Sequence, residues 1–390
     1  MKIKVTKNSN NFWLRFSHLI AIFSLALSSF ANGIEIYQDE KNSLALRGYI
    51  SGVYYKDENV DEINEAASRW GFDFTRKLPN DWQASVTLEW GLVFDTNNNL
   101  TIGGNGQTPN NTGDDNMFTR LGYIQFSHPS WGDIAVGKQW AAYYDVTYGT
   151  DILNYWGGST SGSFNLNSDG GISGTGRAEQ AITWRKSYQN FHFAVQVQAQ
   201  DEAIELSLPE QDPLSEQLNG KTIATINNGF GISVIYDWNK FAFGVGFNSN
   251  QIEVAQEFGG SDSNDEIFAA SVVYGKNHQP GLYFSAVTTR SKNHEFSDTG
   301  SYIDAKSSEL IVKYSFANDI AVYGGFNHLT PDDDDYQGSY KFHYNFAGIE
   351  YVILDSAATL FIETRFDDGK TTDGEKLDDS AGVLGATIYF

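Results

Sequence analysis

Apolar and polar or small residues alternate with period two along much of the chain, a pattern that predicts β-strands with one apolar face. In "NFHFAVQVQAQ" (190–200), Phe191, Phe193, Val195, Val197 and Ala199 share one face, and His192, Ala194, Gln196, Gln198 and Gln200 share the other. "FAFGVGF" (241–247) sets Phe241, Phe243, Val245 and Phe247 against Ala242, Gly244 and Gly246. "ATLFIETRF" (358–366) sets Leu360, Ile362, Thr364 and Phe366 against Thr359, Phe361, Glu363 and Arg365. Seven tight turns follow from breaker residues at 78–82, 128–133, 186–190, 236–240, 276–281, 316–320 and 354–358. Between consecutive turns lie about 35–55 residues, room for two strands of roughly ten residues and one longer loop. Seven short turns alternating with eight long loops give 16 strands, with both chain ends on the short-turn side.

After residue 33 no stretch approaches 18 consecutive apolar residues, which excludes a transmembrane helix there. The first 33 residues differ in kind. Lys2, Lys4, Lys7 and Arg15 make a positive n-region, "LIAIFSLALSSF" (19–30) an apolar core, and Ala31-Asn32-Gly33 a small-residue cleavage site. The expected organisation is a cleaved signal peptide over 1–33 and one domain over 34–390. Composition agrees with strands, since 15% of residues are aromatic, with 38 Gly and only 7 Pro. An exported chain with no cysteine must hold together without disulfides.

Residues 1–33 carry 4 of the 26 Lys+Arg and none of the 49 Asp+Glu, so the remainder carries 22 − 49 = −27. Such a charge repels phosphate backbones and argues against a nucleic-acid partner. The acid concentrates in the intervals assigned to long loops: 56–62, 113–115, 201–216, 261–266, 331–336 and 367–379. These runs form a solvated negative rim. A sharper expectation is that divalent cations bridge the acidic outer loops to anionic surface lipid.

A soluble barrel or sandwich turns its apolar stripe inward, whereas a membrane barrel turns it toward lipid around a wet lumen. The segregation of short turns from long loops, the signal peptide and the missing disulfides favour the membrane version. Only closure satisfies every backbone donor and acceptor in hydrocarbon. On that basis Leu384, Ala386, Ile388 and Phe390 face lipid, the last strand pairs with the first near 44–55, and Phe390 is an aromatic anchor at closure.

The chain resembles the trimeric general diffusion porins of Gram-negative outer membranes. The resemblance starts at "IEIYQDE" (34–40), is densest from "TRLGYIQF" (119–126) through "GDIAVGKQWAAYYDVTYGTDILNYWGG" (132–158), and returns in the terminal strand. It implies an all-β, 16-stranded antiparallel transmembrane β-barrel with long external loops, short periplasmic turns and a third loop, roughly 140–177, folded inward. It further implies Asp145 and Asp151 as loop carboxylates at the constriction, and Arg69, Arg120, Lys138 and Arg177 as the basic wall, with Arg185 a weaker member. Parity supports Arg69, Arg177 and Arg185 on the polar face; Lys138 shares parity with Ile134 and Val136 and needs a bulge at Gly137.

One departure stands out. Where the family often has a second loop carboxylate, this chain has "NYWGG", with Tyr155 and Trp156 in its place. Together with Trp140, Tyr143, Tyr144 and Tyr148 these aromatics either pack the loop against the wall or form a stacking track for sugars. The resemblance also implies a homotrimer, outer-membrane lipid and lipopolysaccharide around the barrel, and barrel-assembly machinery engaging the C-terminal strand.

The expected function is passive diffusion of ions and small hydrophilic solutes through a water-filled pore narrowed by the third loop, mildly cation-selective, without cofactor or covalent chemistry. The alternative is an oligosaccharide-selective channel using the loop aromatics. An outer-membrane hydrolase is disfavoured: "GSTSG" (158–162) centres on Thr160, no metal-spaced His pair occurs, and "GGNGQT" (103–108) has no following helix. A purely adhesive barrel with binding loops is a third class.

Overall fold

The computed structural model describes residues 33–93, 117–165, 169–205, 220–256, 262–298, 302–332, 338–353 and 356–390. The signal segment up to residue 32, the 103–108 run and the acidic stretches at 113–115, 206–216 and 333–336 lie outside them. The spanning strands are β1 (Asn42–Lys56), β2 (Arg69–Lys77), β3 (Gln83–Leu92), β4 (Met117–His128), β5 (Gly132–Trp140) and β6 (Arg177–Tyr188). Next come β7 (Phe191–Gln198), β8 (Thr222–Trp238), β9 (Phe241–Val254), β10 (Asp262–Tyr274) and β11 (Gly281–Phe296). The last five are β12 (Tyr302–Ser315), β13 (Ile320–Pro331), β14 (Phe342–Ile353), β15 (Ala358–Asp367) and β16 (Ser380–Tyr389).

Each pairs antiparallel with its sequence neighbour, and β16 pairs with β1 over Tyr49–Lys56, so the sixteen strands close. Three short pieces complete the 19-stranded sheet, since 19 − 16 = 3. Asp61–Glu65 prolongs β2 and Glu202–Glu205 prolongs β7. Ile34–Gln38 pairs with Ser43–Leu46 on the side of β1 where β16 ends. The closing strand is therefore composite, and its joint is fastened by Phe390 and Gly48 exchanging backbone bonds of 2.8 and 3.0 Å. The Phe390 ring lies over Gly48, where an added Cβ would sit 3.0 Å from its Cζ.

The faces divide as the alternation requires. On β7, Val197 is 48% exposed and Gln196 is 0% exposed; on β16, Ile388 is 62% exposed and Thr387 is 3% exposed. A closed sheet that shows greasy rows outward and glutamine, threonine and glutamate inward is inside-out for water and right for lipid. Six of the seven expected turns join strands within the described residues, the seventh at 354–358 lying partly outside them, and several use the left-handed backbone that Asn and Asp tolerate: Asn80 and Asp81 have φ of 58° and 59°, Asn239 58° and Asp319 64°.

Two expectations need correction. Strands on the long-loop side exceed roughly ten residues, with β8 at 17 and β11 at 16. Residues 56–62 do not form a long loop, because the Asp57 carboxylate accepts from the Asn59 and Val60 N–H groups at 2.7 and 2.6 Å and closes a tight turn.

Candidate functional site

The long connection 141–176 leaves β5 after Trp140 and returns at Arg177, with its neck closed by Ala141 N–H donating to Gly176 O at 2.8 Å. It begins with one helical turn, α1 (Tyr144–Thr147), and a 3-10 turn (Tyr148–Thr150). Tyr143 and Val146 are buried with Ile235 of β8 and Ile267 of β10, so the segment lies inside the barrel against the wall. Inward Gly244 and Gly246 of β9 make the room: a Cβ at either would come within 3.1 Å of Val146.

The returning half is clamped by amides from the polar face of β7 and β9. Gln196 Nε2 donates to Gly174 O at 2.9 Å, Gln198 Nε2 to Gly171 O at 2.9 Å, Gln200 Nε2 to Ile172 O at 2.6 Å, and Asn248 Nδ2 to Ser173 O at 2.7 Å. Four successive carbonyls thus find donors inside the barrel, where an unmet carbonyl is costly.

The forward tip is held by wall carboxylates. Glu363 of β15 accepts from the backbone N–H of Asn154 (2.7 Å), Tyr155 (3.0 Å) and Trp156 (3.1 Å), and from the Tyr323 hydroxyl (2.8 Å). Glu309 of β12 accepts from Thr160 N–H at 2.6 Å and from the Thr150 hydroxyl. Glu350 accepts from Asn154 Nδ2 at 3.0 Å and pairs with Lys313 at 2.6 Å. His294 meets Gly162 O at 2.7 Å and Asp265 at 2.6 Å, so Asp265, expected in a loop, faces inward from an extended β10. Ile152, Leu153, Tyr155 and Trp156 pack with Tyr283, Ile311, Phe361 and Tyr55. The loop therefore covers the inner wall from β7 round to β1.

The wall from β1 to β6 carries a second set of cations. In register, Arg47 of β1 lies opposite Gly71 of β2, which lies opposite Glu89 of β3. With no side chain intervening at Gly71, Arg47 reaches Glu89 at 2.5 Å as well as Asp73 at 2.6 Å. Arg120 pairs with the other Glu89 oxygen at 2.9 Å. It faces inward because the β3–β4 register slips at Glu89/Trp90, leaving Arg120 as the extra residue of a bulge. The guanidinium of Arg69 lies 4.4 Å over the Tyr49 ring.

Lys138 bonds Asp169 at 2.9 Å and Glu179 at 2.6 Å, across the register slip between Gly137 and Gln139. Gly137 has φ +128°, so the distortion falls where parity required it. Arg177 shares Asp169 at 3.2 Å, and Arg185 holds Asp145 at 2.8 Å. Tyr144 donates to Asp151 at 2.7 Å.

The structure thus joins Asp145 to Arg185 and sets Asp151 within the field of Arg177, Arg69 and Arg120. Burial pushes both loop carboxyls above their ordinary range; Arg185 opposes this at Asp145, and the Tyr144 hydroxyl and the three arginines oppose it at Asp151. Burial also pushes Asp169 up, but Arg177 and Lys138 outweigh it and hold that carboxyl below its ordinary range. Trp156 is 3% exposed, and its ring and that of Tyr155 lie against Tyr55, so these aromatics are spent on packing the loop. Arg47, Asp73, Glu89, Asp169, Glu309 and Glu350 escape motif reasoning, while Glu179 shares the polar-face parity of Arg177 and Arg185. Glu363 was already assigned by alternation to the polar face, though not to a role. Among the described residues no three His, Cys, Asp or Glu side chains gather as a metal centre.

Known proteins share this fold. The family model described as "Gram-negative porin" matches residues 19–387. The outer membrane porin protein OmpD of Citrobacter koseri is 24% identical over 309 residues, 76% of each chain. The solved Salmonella typhi OmpF, in complex with daunomycin, superposes with a TM-score of 0.68 at 17% identity, covering 91% of this chain and 100% of that one. A trimer form of Vibrio cholerae OmpT superposes with a TM-score of 0.61 at 15% identity, covering 90% and 100%. With a family match over nearly its whole length, a closed lipid-facing barrel and an inward third loop, the chain belongs to the Gram-negative porins, as an outer-membrane channel of the OmpC/OmpF general type rather than an enzyme.

Proposed function

We propose that the channel passes ions and small hydrophilic solutes by passive diffusion, with loop 141–176 setting the size limit and net acidity giving a mild cation preference. The observation that carries this reading is the fastening of the loop's forward backbone to Glu363 and Glu309, which keeps a fixed obstruction inside an otherwise hydrated barrel. Six cations (Arg47, Arg69, Arg120, Lys138, Arg177, Arg185) stand beside six carboxylates (Asp73, Glu89, Asp145, Asp151, Asp169, Glu179), most of them in direct pairs. A balanced eyelet adds little selectivity of its own. The −27 of residues 34–390 then biases the mouth toward cations over roughly a Debye length, about 8 Å at physiological salt.

The same reading takes residues 1–33 as a cleaved export signal and the working unit as a homotrimer, in keeping with the trimer form of the superposing OmpT. Lipopolysaccharide around the barrel, divalent cations at the acidic outer loops, and assembly machinery engaging the strand that ends at Phe390 complete the proposal. Planar-bilayer recording tests it. Current should rise in triplets per insertion, and the reversal potential in a potassium chloride gradient should show cation preference. Anion preference would overturn the selectivity, and absence of ohmic conductance the channel itself.

A further inference from the structure

We propose that His328 and His343 form a two-imidazole chelate for a divalent transition metal such as zinc, copper or nickel, on the lipid-facing surface near its outer boundary. The two residues lie directly opposite each other on β13 and β14. They share the outward parity of Val322 and Ile349, both exposed. His343 is the second residue of β14, and His328 stands three before the end of β13, so both flank the root of the loop those strands carry.

The rings meet edge to face, with centroids 5.0 Å apart and an interplanar angle of 75°. This brings the two Nδ1 atoms to 3.2 Å. Without metal, one Nδ1–H donates to the other ring's lone pair. With that proton displaced, both Nδ1 lone pairs become available to one ion held between the rings. An ion at the usual zinc–nitrogen distance of about 2.0–2.1 Å from each would subtend roughly 100° at the metal, close to tetrahedral.

The Asn345 amide nitrogen sits 3.4 Å from His343 Nε2. Rotation of that amide on metal binding would present its oxygen, which would accept from Nε2–H and fix the tautomer that leaves Nδ1 free to ligate. Lys341, the cation that faces this pair, is itself neutralised by Asp368 at 3.0 Å. Two imidazoles with water completing the shell suit borderline metals and not calcium or magnesium, which require oxygen ligands.

The test uses the full barrel folded in detergent micelles and titrated with copper(II) or zinc(II) in a non-chelating buffer. One ion should bind per chain, and the copper(II) electron paramagnetic resonance spectrum should carry coupling to two nitrogens. His328→Gln and His343→Gln should each weaken binding about tenfold or more and reduce the coupling to one nitrogen, while His278→Gln, in the β10–β11 turn, should change neither. Heat-dependent gel mobility reports whether each variant folds; where one does not, the wild-type nitrogen coupling decides. Absence of saturable binding, binding indifferent to both substitutions, or competition by excess magnesium would overturn the site.

Discussion

The two halves of the inner wall use the same residue type in opposite ways. On β1–β6, Glu89 is saturated by the guanidinium groups of Arg47 and Arg120, Asp73 pairs with Arg47, and Glu179 pairs with Lys138. On β12–β15, Glu309 and Glu363 are saturated by backbone N–H and hydroxyl groups of the loop and its neighbours, and only Glu350 takes a lysine. A carboxylate on the first half neutralises a cation of the wall; one on the second half holds the inward loop. Net charge on a wall therefore says little until each carboxylate's partner is known.

The largest break in this contrast should come from Glu363→Ala. Three backbone donors and the Tyr323 hydroxyl would lose one acceptor together, and hydrogen bonds to a charged group contribute about 1.5–3 kcal/mol each, non-additively. We expect a lower melting temperature, higher single-channel conductance and more open-channel noise, with Glu363→Gln intermediate. Unchanged conductance and noise would mean that the loop is held elsewhere.

Glu89→Gln should act next most strongly and without loosening the loop. It strips a shared anion from Arg47 and Arg120, so the reversal potential should move toward anions. Arg120→Gln should move it the other way. If both shift it in one direction, the pairing picture fails.

Much of the barrel was legible because lipid imposes a binary rule on every second residue, and breaker residues marked the six turns that lie wholly within the described residues. Site residues obeyed the rule unevenly. Arg69, Arg177 and Arg185 sit at parities that point inward. Arg120, by contrast, has the parity of exposed Ile124 and Phe126, and only the bulge opposite Glu89/Trp90 turns it inward. The family resemblance named Arg120 where alternation alone would have sent it to lipid. Glu363 was legible as inward-facing, but its job was not, since backbone donors from residues over 200 positions away leave no local signature. Extension of strands above the membrane was hidden for another reason: once outside lipid, alternation no longer needs apolar residues, so 262–266 and 202–205 resemble loops.

Acidification should sharpen the comparison by a smaller amount. Asp145 and Asp151 are held above the ordinary carboxylate range, so as pH falls they lose charge before exposed carboxylates, which titrate near pH 4; Asp169 keeps its charge to lower pH. Cation preference should therefore begin to decline while exposed carboxylates are still ionised, and Asp145→Asn with Asp151→Asn should blunt that early part. In stability the signs oppose. The raised pair contributes below the ordinary carboxylate values and loses that contribution as pH rises through its folded values. Asp169 contributes above the ordinary value and loses its share as pH falls through its folded one.

Lys138→Gln should have the smallest effect, and its smallness is the point. Lys138 is partly exposed and bonds two acids, Asp169 and Glu179. Asp169 keeps Arg177 after the substitution, so only Glu179, a third exposed, is left for water to solvate. Exposed ion pairs contribute about 0–1 kcal/mol, so stability should hardly move. Selectivity should shift toward cations, opposite in sign to Glu89→Gln and smaller in size. A shift as large as that of Arg120→Gln would show Lys138 acting as an open cation in the bore, and the neutralised wall would then have to be redrawn as a basic one.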